Sequence, residues 1–229
     1  IACPPLGGHL RVEFRYINIG KLMKNNNLGS APSTCAYTMN AEISKMYWKL
    51  MRVEMGNVLD IGSGQGGFGL SKPSNVKLFG IERDKTIIDQ SKNYCEIKHM
   101  EIDNNFKMPF DDNYFTGVLA RDILEHIEKP WLVLDEIYKG LISGGVIICS
   151  VPKPDPKIVW NDYTHIRGFT KTALASMVRN SGFEIISLFP LSGYRFATKL
   201  GLVNMLPTIA KIPPINRFMV NFHCIAVKP

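Results

Sequence analysis

The stretch VLDIGSGQGG, residues 58–67, carries the most concentrated chemical signal in the sequence, because an aspartate and then glycines follow a short apolar run. Glycine lets the backbone turn sharply and leaves amide groups free to donate hydrogen bonds to a ligand. Gly62, Gly64 and Gly67 satisfy the G-x-G-x-x-G fingerprint of dinucleotide-binding loops, and Glu82 follows at the spacing of an acid that binds a ribose diol. The loop predicts a nucleoside-containing cofactor, and an NAD-dependent oxidoreductase is one candidate.

A second group of reactive side chains lies in WNDYTHIRGFT, residues 160–170. It combines an acid, a phenol, an imidazole and a guanidinium, at Asp162, Tyr163, His165 and Arg167. An imidazole accepts a proton near neutral pH, so His165, oriented by Asp162, is predicted to be a catalytic base. Tyr163 and Arg167 are predicted to contact a substrate, with Arg167 holding an anionic group. The alternative is a salt-bridged loop that touches no substrate.

Alternating strands and helices must position these groups. Apolar runs predict strands at 57–61, 76–82, 97–103, 114–120, 145–151, 183–189 and 222–227. Helical spacing and capping residues predict helices at 38–54, 84–95, 130–141 and 170–182. The pattern is typical of an α/β fold with a mostly parallel sheet, in which ligands bind beyond the carboxyl ends of the strands. Both the glycine loop and residues 160–170 follow such strand ends.

The composition sets the class of protein. A chain of 229 residues with 45% hydrophobic residues fits one globular domain. No apolar run approaches the length of a membrane span, and no secretory signal is recognised, although the sequence starts at Ile1. The five cysteines are scattered without a CxxC pair, which argues against a zinc site and a disulfide framework, and predicts a reducing, cytoplasmic compartment.

The rest of the chain favours a cofactor other than NAD. VLDIGSGQG resembles the first motif of class I S-adenosylmethionine-dependent methyltransferases, in which an acid, here Asp60, stands two residues before the first glycine. A carboxylate there repels a pyrophosphate and attracts the cationic groups of S-adenosylmethionine. FGIERD, IDNNFKMPFDDNYF and VLARDILEHIEKP resemble the motifs that follow. The resemblance covers roughly residues 56–190 and points to the branch with quinone-ring and small-molecule or glycan methyltransferases.

This resemblance implies a Rossmann-like, doubly wound, seven-stranded sheet with an antiparallel last strand. It also implies S-adenosylmethionine as cofactor and S-adenosylhomocysteine as product. The implied cofactor-binding residues are Asp60, Gly62, Ser63, Gly64, Gly66, Glu82, Arg83, Asp103, Asn104, Ala120 and Arg121. Among them Glu82 would hold the ribose, and Asp103 with the Asn104 backbone would contact the adenine. The alternatives are a turn-capping role for Asp60, turn chemistry for Asp103, and a surface charge for Arg121.

The resemblance also frames the acceptor side of the reaction. A single domain, residues 1–229, would consist of an N-terminal helical extension (1–55), a cofactor-binding core (56–190), and a cap segment with the last strand (191–229). His126 is either substrate-facing or a histidine that fixes its loop. Methyl transfer to a small-molecule, lipid or glycan-precursor acceptor is the leading hypothesis. An NAD-dependent oxidoreductase and a non-catalytic cofactor-binding module are the alternatives, and no metal ion is predicted.

The distribution of charge along the chain indicates what kind of molecule the protein binds. The net charge is +7, and residues 185–229 hold five Lys or Arg and no acid. This predicts an anionic acceptor or a peripheral contact with a membrane surface through residues 198–220, for which a packed helical cap is the alternative. Nucleic acid is not the expected acceptor, because the NPPY-type tetrapeptide of amino-methylating enzymes is absent after the fourth strand, where the sequence is ARDI. The oligomeric state is not indicated.

Overall fold

Seven strands form one sheet in the computed structural model, which describes residues 39–88 and 93–229, apart from the side chain of Arg195. The strands are β1 (Gly56–Ile61), β2 (Val76–Glu82), β3 (Glu96–His99), β4 (Phe115–Arg121), β5 (Leu141–Pro152), β6 (Glu184–Leu191) and β7 (Asn221–Val227). Their order is β3-β2-β1-β4-β5-β7-β6. The strands β1 to β5 are parallel to one another, and β7 is antiparallel to both β5 and β6. The predicted mostly parallel α/β sheet with an antiparallel last strand is confirmed.

Seven helices connect or cover these strands in the described part of the chain. They are α1 (Ala41–Met51), α2 (Lys85–Ile88), α3 (Pro130–Gly140), α4 (Pro156–Val159), α5 (Lys171–Asn180), α6 (Tyr194–Lys199) and α7 (Leu206–Ile209), with 3-10 turns at Gly67–Ser71, Leu124–His126, Val203–Met205 and Ile215–Phe218. Asn40 and Thr170 cap α1 and α5, since each side chain accepts a hydrogen bond from a backbone amide of the first turn. No helix in this part is long and apolar enough to cross a membrane.

Some predicted boundaries are wrong. The helix predicted over 84–95 does not extend to residue 95. The amide of Cys95 instead donates a hydrogen bond of 2.7 Å to the carbonyl of Leu78 on β2. The strand predicted to end at residue 103 stops at His99, and the Asp103 carboxylate accepts from the Asn105 amide in a turn. The predictions on residues 1–38 and 89–92 lie outside the described residues. The structural differences come from turns that compete with the longer elements.

Helices pack on both faces of the sheet. One core cluster joins α3 and α5 to one face, through residues such as Val118, Leu134, Ile137, Ile147 and Val178. The other joins α1 and α7 to the opposite face, through residues such as Ile43, Tyr47, Leu119, Ile148 and Leu206. Val118 and Leu119 alternate between the two clusters, as do Ile147 and Ile148, because successive side chains of a strand point to opposite faces. The central strands are therefore buried on both faces, which explains their continuous apolar sequences.

The register of the parallel strands brings the predicted site residues to one edge. Ile61 of β1 lies beside Ile81 of β2 and Ala120 of β4, and Arg121 lies beside Ser150 of β5. The groups at the carboxyl ends of these strands therefore lie together at the edge where parallel sheets form a ligand crevice.

Candidate active site

The glycine loop follows β1 and turns back over β2. The amides of Gly62 and Ser63 both donate to the carbonyl of Ile81, at 2.8 and 3.1 Å. Gly62, Gly64 and Gly66 have φ angles of 72°, 52° and 77°, a region that side chains other than glycine rarely adopt. A Cβ on Gly62 would lie 2.2 Å from the Ile123 side chain, whereas one on Gly64 meets none of the described residues within 4 Å. The left-handed backbone favours glycine at 62, where an added Cβ would also displace the end of the Ile123 side chain, while the position of Gly64 faces open space.

Asp60 is a buried carboxyl at the end of β1, only 4% exposed. The hydroxyl of Tyr94 donates to its Oδ2 at 2.6 Å. Burial raises the pKa of Asp60 to about 7, although the Tyr94 hydrogen bond and the charge of Arg121 act in the opposite direction. A cation beside this carboxyl would favour the ionised form. The site therefore suits a positively charged ligand.

Glu82, which ends β2, holds the glycine loop in place. Its Oε2 accepts from the amide of Gly64 at 2.8 Å, and its Oε1 accepts from the amide of Asp84 at 2.9 Å. The residue is 8% exposed, so it is not the solvated strand-end acid of an ordinary surface. Each carboxylate oxygen can accept a further hydrogen bond. The predicted contact with a ribose stays a prediction, and the structure adds a loop-fixing role.

The predicted adenine side is more exposed. Asp103 accepts from the Asn105 amide at 2.8 Å, which is the turn chemistry considered as its alternative. The side chain of Asn104 donates to Glu128 Oε2 and accepts from the Lys129 amide, both at 2.8 Å. Asn104 thus ties its turn to the segment after β4 and leaves its backbone for a ligand. The contacts of Asp103 and of the Asn104 backbone with adenine stay predictions.

Two arginines assigned to the cofactor differ in environment. Arg83 is paired with Glu101 at 3.6 Å, and both side chains are exposed. Arg121 is enclosed, with a side chain 17% exposed and its Nε 3.5 Å from Asp122 Oδ2. Burial alone would lower the pKa of Arg121. Neighbouring acidic groups raise this pKa by more than burial lowers it, so the net change is upward; these groups are Tyr47, Asp122, Tyr194 and Asp60. Arg121, which follows Ala120 on β4, is therefore a crevice residue and not a surface charge.

A buried polar network that the sequence did not indicate lies at the same edge. The hydroxyls of Tyr47 and Tyr194 lie 2.7 and 3.0 Å from His223 Nε2, and 3.0 Å from each other. Burial lowers the pKa of His223 to about 4, so its ring is neutral at pH 7. Tyr47 is on α1, His223 on β7 and Tyr194 on α6. No local motif could reveal this network, because its members are far apart in the chain.

Asp122 connects this edge to β5 and β7. Its Oδ1 accepts from the Ser150 hydroxyl at 2.8 Å and from Asn221 Nδ2 at 2.7 Å. Its φ of 55° turns the chain sharply out of β4. The turn carries the chain toward Glu125 and His126, which face the 160–170 loop.

The 160–170 loop folds back on itself and on the segment after β4. Asp162, 4% exposed, accepts from the amide and hydroxyl of Thr164 at 2.9 and 2.6 Å. Arg167 Nη2 donates to the carbonyl of Glu128 at 2.7 Å, and Tyr163 is 72% exposed. The amide of Ile166 donates to the carbonyl of Glu125. The loop therefore has many internal contacts, and its predicted roles toward a substrate stay predictions.

His165 is buried and faces Glu125. Its Nδ1 is 2.8 Å from the carbonyl of Val159 and donates to it, which leaves the lone pair on Nε2. Nε2 lies 3.9 Å from Glu125 Oε1, and the ring centroid is 4.7 Å from that of His126. Burial lowers the pKa of His126, and the nearby His165 lowers it further. The structure thus brings two predicted histidines together and adds Glu125, which the sequence analysis did not single out.

Comparison with known proteins identifies the family. A family described as a methyltransferase domain matches residues 36–188. This match covers most of the chain, so the protein belongs to the methyltransferase-domain family, and its fold is that of class I S-adenosylmethionine-dependent methyltransferases. The expectation drawn from the motifs is confirmed at this level.

Individual relatives are more distant. Phosphoethanolamine N-methyltransferase 3 of Arabidopsis thaliana is 28% identical over 163 residues, which cover 64% of this chain and 33% of that protein. The demethylmenaquinone methyltransferase of Listeria welshimeri is 27% identical over 210 residues, which cover 74% of this chain and 88% of that protein. The matched region spans only a third of the plant relative. The names of these relatives therefore do not fix the acceptor.

Solved structures agree on the fold. A SAM-dependent methyltransferase from Archaeoglobus fulgidus has a TM-score of 0.61 at 18% identity, covering 82% of this chain and 92% of that chain. The [4+2]-cyclase SpnF has a TM-score of 0.59 at 16% identity, covering 82% of this chain and 81% of that chain. Because a protein named as a cyclase shares the fold, the activity has to be argued from the site.

Proposed function

We propose that the protein transfers the methyl group of S-adenosylmethionine to a small-molecule, lipid or glycan-precursor acceptor. The observation that supports this proposal is a group of charged residues at the strand ends: Arg121 and Glu82 act electrostatically on the buried Asp60, and Glu82 holds the glycine loop, which has open space at Gly64. The cofactor would place its cationic groups toward Asp60 and its ribose toward Glu82. In-line attack on the sulfonium methyl then requires alignment in a site that excludes water.

The charge of the crevice supports this cofactor over NAD. Asp60 is buried, and a pyrophosphate beside its carboxylate would add repulsion between like charges. A sulfonium and an ammonium would instead compensate the buried carboxylate. The non-catalytic alternative keeps the same cofactor contacts and differs only in turnover.

Titration calorimetry tests the cofactor. We expect S-adenosylhomocysteine to bind and NAD to give no heat, and we expect Asp60→Asn to weaken the binding of S-adenosylhomocysteine. Glu184→Gln, at an exposed acid at the start of β6, is the control that should leave the affinity unchanged. Tight binding of NAD without a response to S-adenosylhomocysteine would contradict the proposal.

On the acceptor side, we propose that His165 activates a protonated acceptor through Nε2, with Asp162, Tyr163, Arg167 and His126 shaping the site. His165 Nε2 is the ring atom that carries a lone pair, because Nδ1 donates to Val159. An acceptor with an unprotonated nucleophile would not need this help. The loop follows β5, so it lies at the carboxyl edge where the cofactor is proposed to bind.

A panel of acceptors with His165→Ala tests this assignment. The turnover of His165→Ala should be lower than that of the parent. Its affinity for S-adenosylhomocysteine should equal that of the parent, because other residues make the proposed cofactor contacts. Lys171→Ala, at an exposed residue of α5, serves as the control. Unchanged turnover in His165→Ala would remove the residue from catalysis, and loss of the fold would assign it a structural role.

The cap segment, within residues 191–229, has a surface that a membrane holding a lipid acceptor could contact. Its inner residues, among them Ala197, Leu206 and Ala210, are buried in the cluster that contains α1. Its outer residues combine exposed apolar side chains with basic ones and no acid: Phe196, Lys199, Leu200, Met205, Lys211, Ile212, Arg217 and Phe218. We propose that these residues, the cap surface, contact an anionic membrane surface.

Sedimentation with vesicles tests this contact. The protein should sediment with vesicles that contain phosphatidylserine and stay free with phosphatidylcholine alone. Phe218→Ser with Lys211→Ser should weaken the binding, whereas Leu70→Ser, at an exposed apolar residue outside the cap, should not. Equal binding to both vesicle types would exclude the electrostatic part of the proposal.

A further inference from the structure

Three potential metal ligands converge between the segment after β4 and the 160–170 loop. Glu125, His126 and His165 each offer one ligand atom, and these atoms all lie within 4.8 Å of one another. Glu125 is 1% exposed and His165 is 7% exposed. The Glu125 carboxyl and the His165 imidazole are thus both buried, and they lie next to each other.

Two potential ligand atoms of this cluster have no hydrogen-bond partner among the described residues. Glu125 Oε2 and His165 Nε2 are both buried without a hydrogen-bond partner among the described residues. A buried polar atom without a partner is costly, and in native structures it often marks an ion or a water that completes the site. The separation of 3.9 Å between His165 Nε2 and Glu125 Oε1 is too long for a direct hydrogen bond.

The surroundings orient both rings. His165 Nδ1 donates to the carbonyl of Val159, which fixes the ring and its tautomer. His126 Nδ1 lies 3.0 Å from the hydroxyl of Thr164. Metal-bound histidines commonly use their second nitrogen in this way, which sets the direction of the ligand atom.

We propose that Glu125, His126 and His165 bind a divalent transition-metal ion, with Zn²⁺ as the expected ion. Two imidazoles and one carboxylate form a donor set of catalytic zinc sites, which leave a further position open. Ligand atoms around a tetrahedral zinc lie about 3.3 Å apart, so these side chains would move closer by roughly 1.5 Å or less on binding. The chain carries them on a 3-10 turn and a loop, where such movement is easier than in a strand.

The local charge favours a cation. Asp122 and Asp162 are two further carboxylates whose charges act on Glu125. A bound cation would compensate all three carboxylates. Arg121 is the opposing charge that acts on Glu125 from β4.

A bound ion would also define how His165 acts, and this part rests on the proposed function. An acceptor hydroxyl that occupies the open position of the ion would lose its proton to water more readily. Its oxygen would then attack the methyl carbon, and the carbon–sulfur bond would break with both electrons staying on sulfur. In this arrangement the Nε2 lone pair binds the ion and is not the free base.

Metal binding by the whole chain tests the site directly. Protein freed of metal with a chelator and then dialysed should bind one equivalent of Zn²⁺ by calorimetry, and Co²⁺ should give the visible absorption of a low-symmetry site with nitrogen and oxygen ligands. Removing a group that only hydrogen-bonds to a metal ligand lowers metal affinity by roughly 10–100-fold. Glu125→Gln and His165→Gln remove ligands themselves, so each should lower the affinity for Zn²⁺ by more than this. The control His99→Gln should keep the affinity of the parent.

Two outcomes would overturn the proposal. One is the absence of Zn²⁺ binding by the parent protein, which would leave a buried Glu–His cluster only. The other is unchanged binding in both Gln variants, or a sulfur-to-cobalt charge-transfer band, which would place the ion on cysteines. Where a variant does not fold, the ligand type in the Co²⁺ spectrum of the parent decides.

A last comparison separates this site from the proposed function. If metal-free protein turns over acceptor at the full rate, the metal is not part of the reaction, while methyl transfer stands. If Zn²⁺ binds at this cluster but S-adenosylhomocysteine does not bind at all, the metal site stands and the proposed function fails.

Discussion

The hydroxyl of Tyr94 donates a 2.6 Å hydrogen bond to the carboxylate of Asp60. This bond joins the segment before β3 to the end of β1, across the strand β2 that lies between them in the sheet. It stabilises the ionised carboxylate, yet burial still holds the pKa of Asp60 at about 7. Ligand binding and stability should therefore both depend on pH near neutrality.

The affinity for S-adenosylhomocysteine should rise between pH 6 and pH 8. With a pKa of about 7, Asp60 is mostly protonated at pH 6 and mostly ionised at pH 8, and only the ionised form attracts the ligand's ammonium. If only that form binds, the dissociation constant falls about tenfold over this range. Calorimetry at both pH values checks this, and Asp60→Asn should show no such change. A flat profile in the parent would contradict the assignment.

Asp60→Asn should stabilise the ligand-free protein at pH 8. Because the folded pKa is raised, the folded state keeps its proton longer than the unfolded chain, and stability present at low pH is lost as pH rises from about 4 to about 7. The neutral amide avoids this loss, so the free energy of unfolding at pH 8 should increase by up to about 4 kcal/mol. Urea denaturation at pH 8 and pH 5 checks it, with a smaller gain at pH 5. A variant less stable than the parent at pH 8 would show that the ionised carboxylate is not costly.

Glu82→Ala should weaken the binding of S-adenosylhomocysteine by roughly 2–4 kcal/mol. The change removes the proposed ribose contact and also frees the amides of Gly64 and Asp84. Calorimetry measures the loss, and Glu184→Ala, at an exposed acid of β6, is the matched control. An unchanged dissociation constant would remove Glu82 from the cofactor site.

Gly64→Ala and Gly144→Ala should differ in ligand binding but not in stability. Both glycines have positive φ angles, 52° and 77°, and an added Cβ meets none of the described residues within 4 Å at either position. Each alanine should cost about 1–2 kcal/mol of unfolding free energy for its left-handed backbone. Only Gly64→Ala should lower the affinity for S-adenosylhomocysteine, because its methyl group enters the proposed ligand space. Equal affinities in the two variants would mean that no ligand approaches Gly64.

Acidification should destabilise the protein through His223. Its pKa of about 4 lies below the ordinary value because the folded state buries the neutral ring, so the unfolded chain binds the proton first. Stability is then present above about pH 6.5 and is lost as pH falls toward 4, by about 3 kcal/mol. Urea denaturation from pH 7.5 to pH 4 measures the slope, which should be shallower in His223→Gln. The same slope in both proteins would assign the acid sensitivity to other groups.

The fold and the position of the glycine loop could be predicted from the sequence, because both depend on patterns of residues that are close together in the chain. The glycines, Asp60 and Glu82 lie within one strand–loop–strand unit, and their spacing alone points to one edge of a parallel sheet. Tyr47 and His223 are 176 residues apart, and only the insertion of β7 beside β5 brings them together. Glu125 was missed for another reason, since a glutamate next to a histidine in a charged segment usually faces water. Here the 3-10 turn after β4 directs it inward.

The position of β7 affects the order in which the molecule can assemble during translation. β6 leaves the ribosome before β7, yet β7 lies between β5 and β6 in the finished sheet. Until β7 arrives, β5 and β6 each lack a hydrogen-bonded neighbour, and unpaired strands of this kind attract other chains. The nascent chain thus passes through a stage in which strand edges that are paired in the finished sheet are exposed. His223 travels on β7, so Tyr47 and Tyr194 gain their shared partner only when that strand closes the sheet.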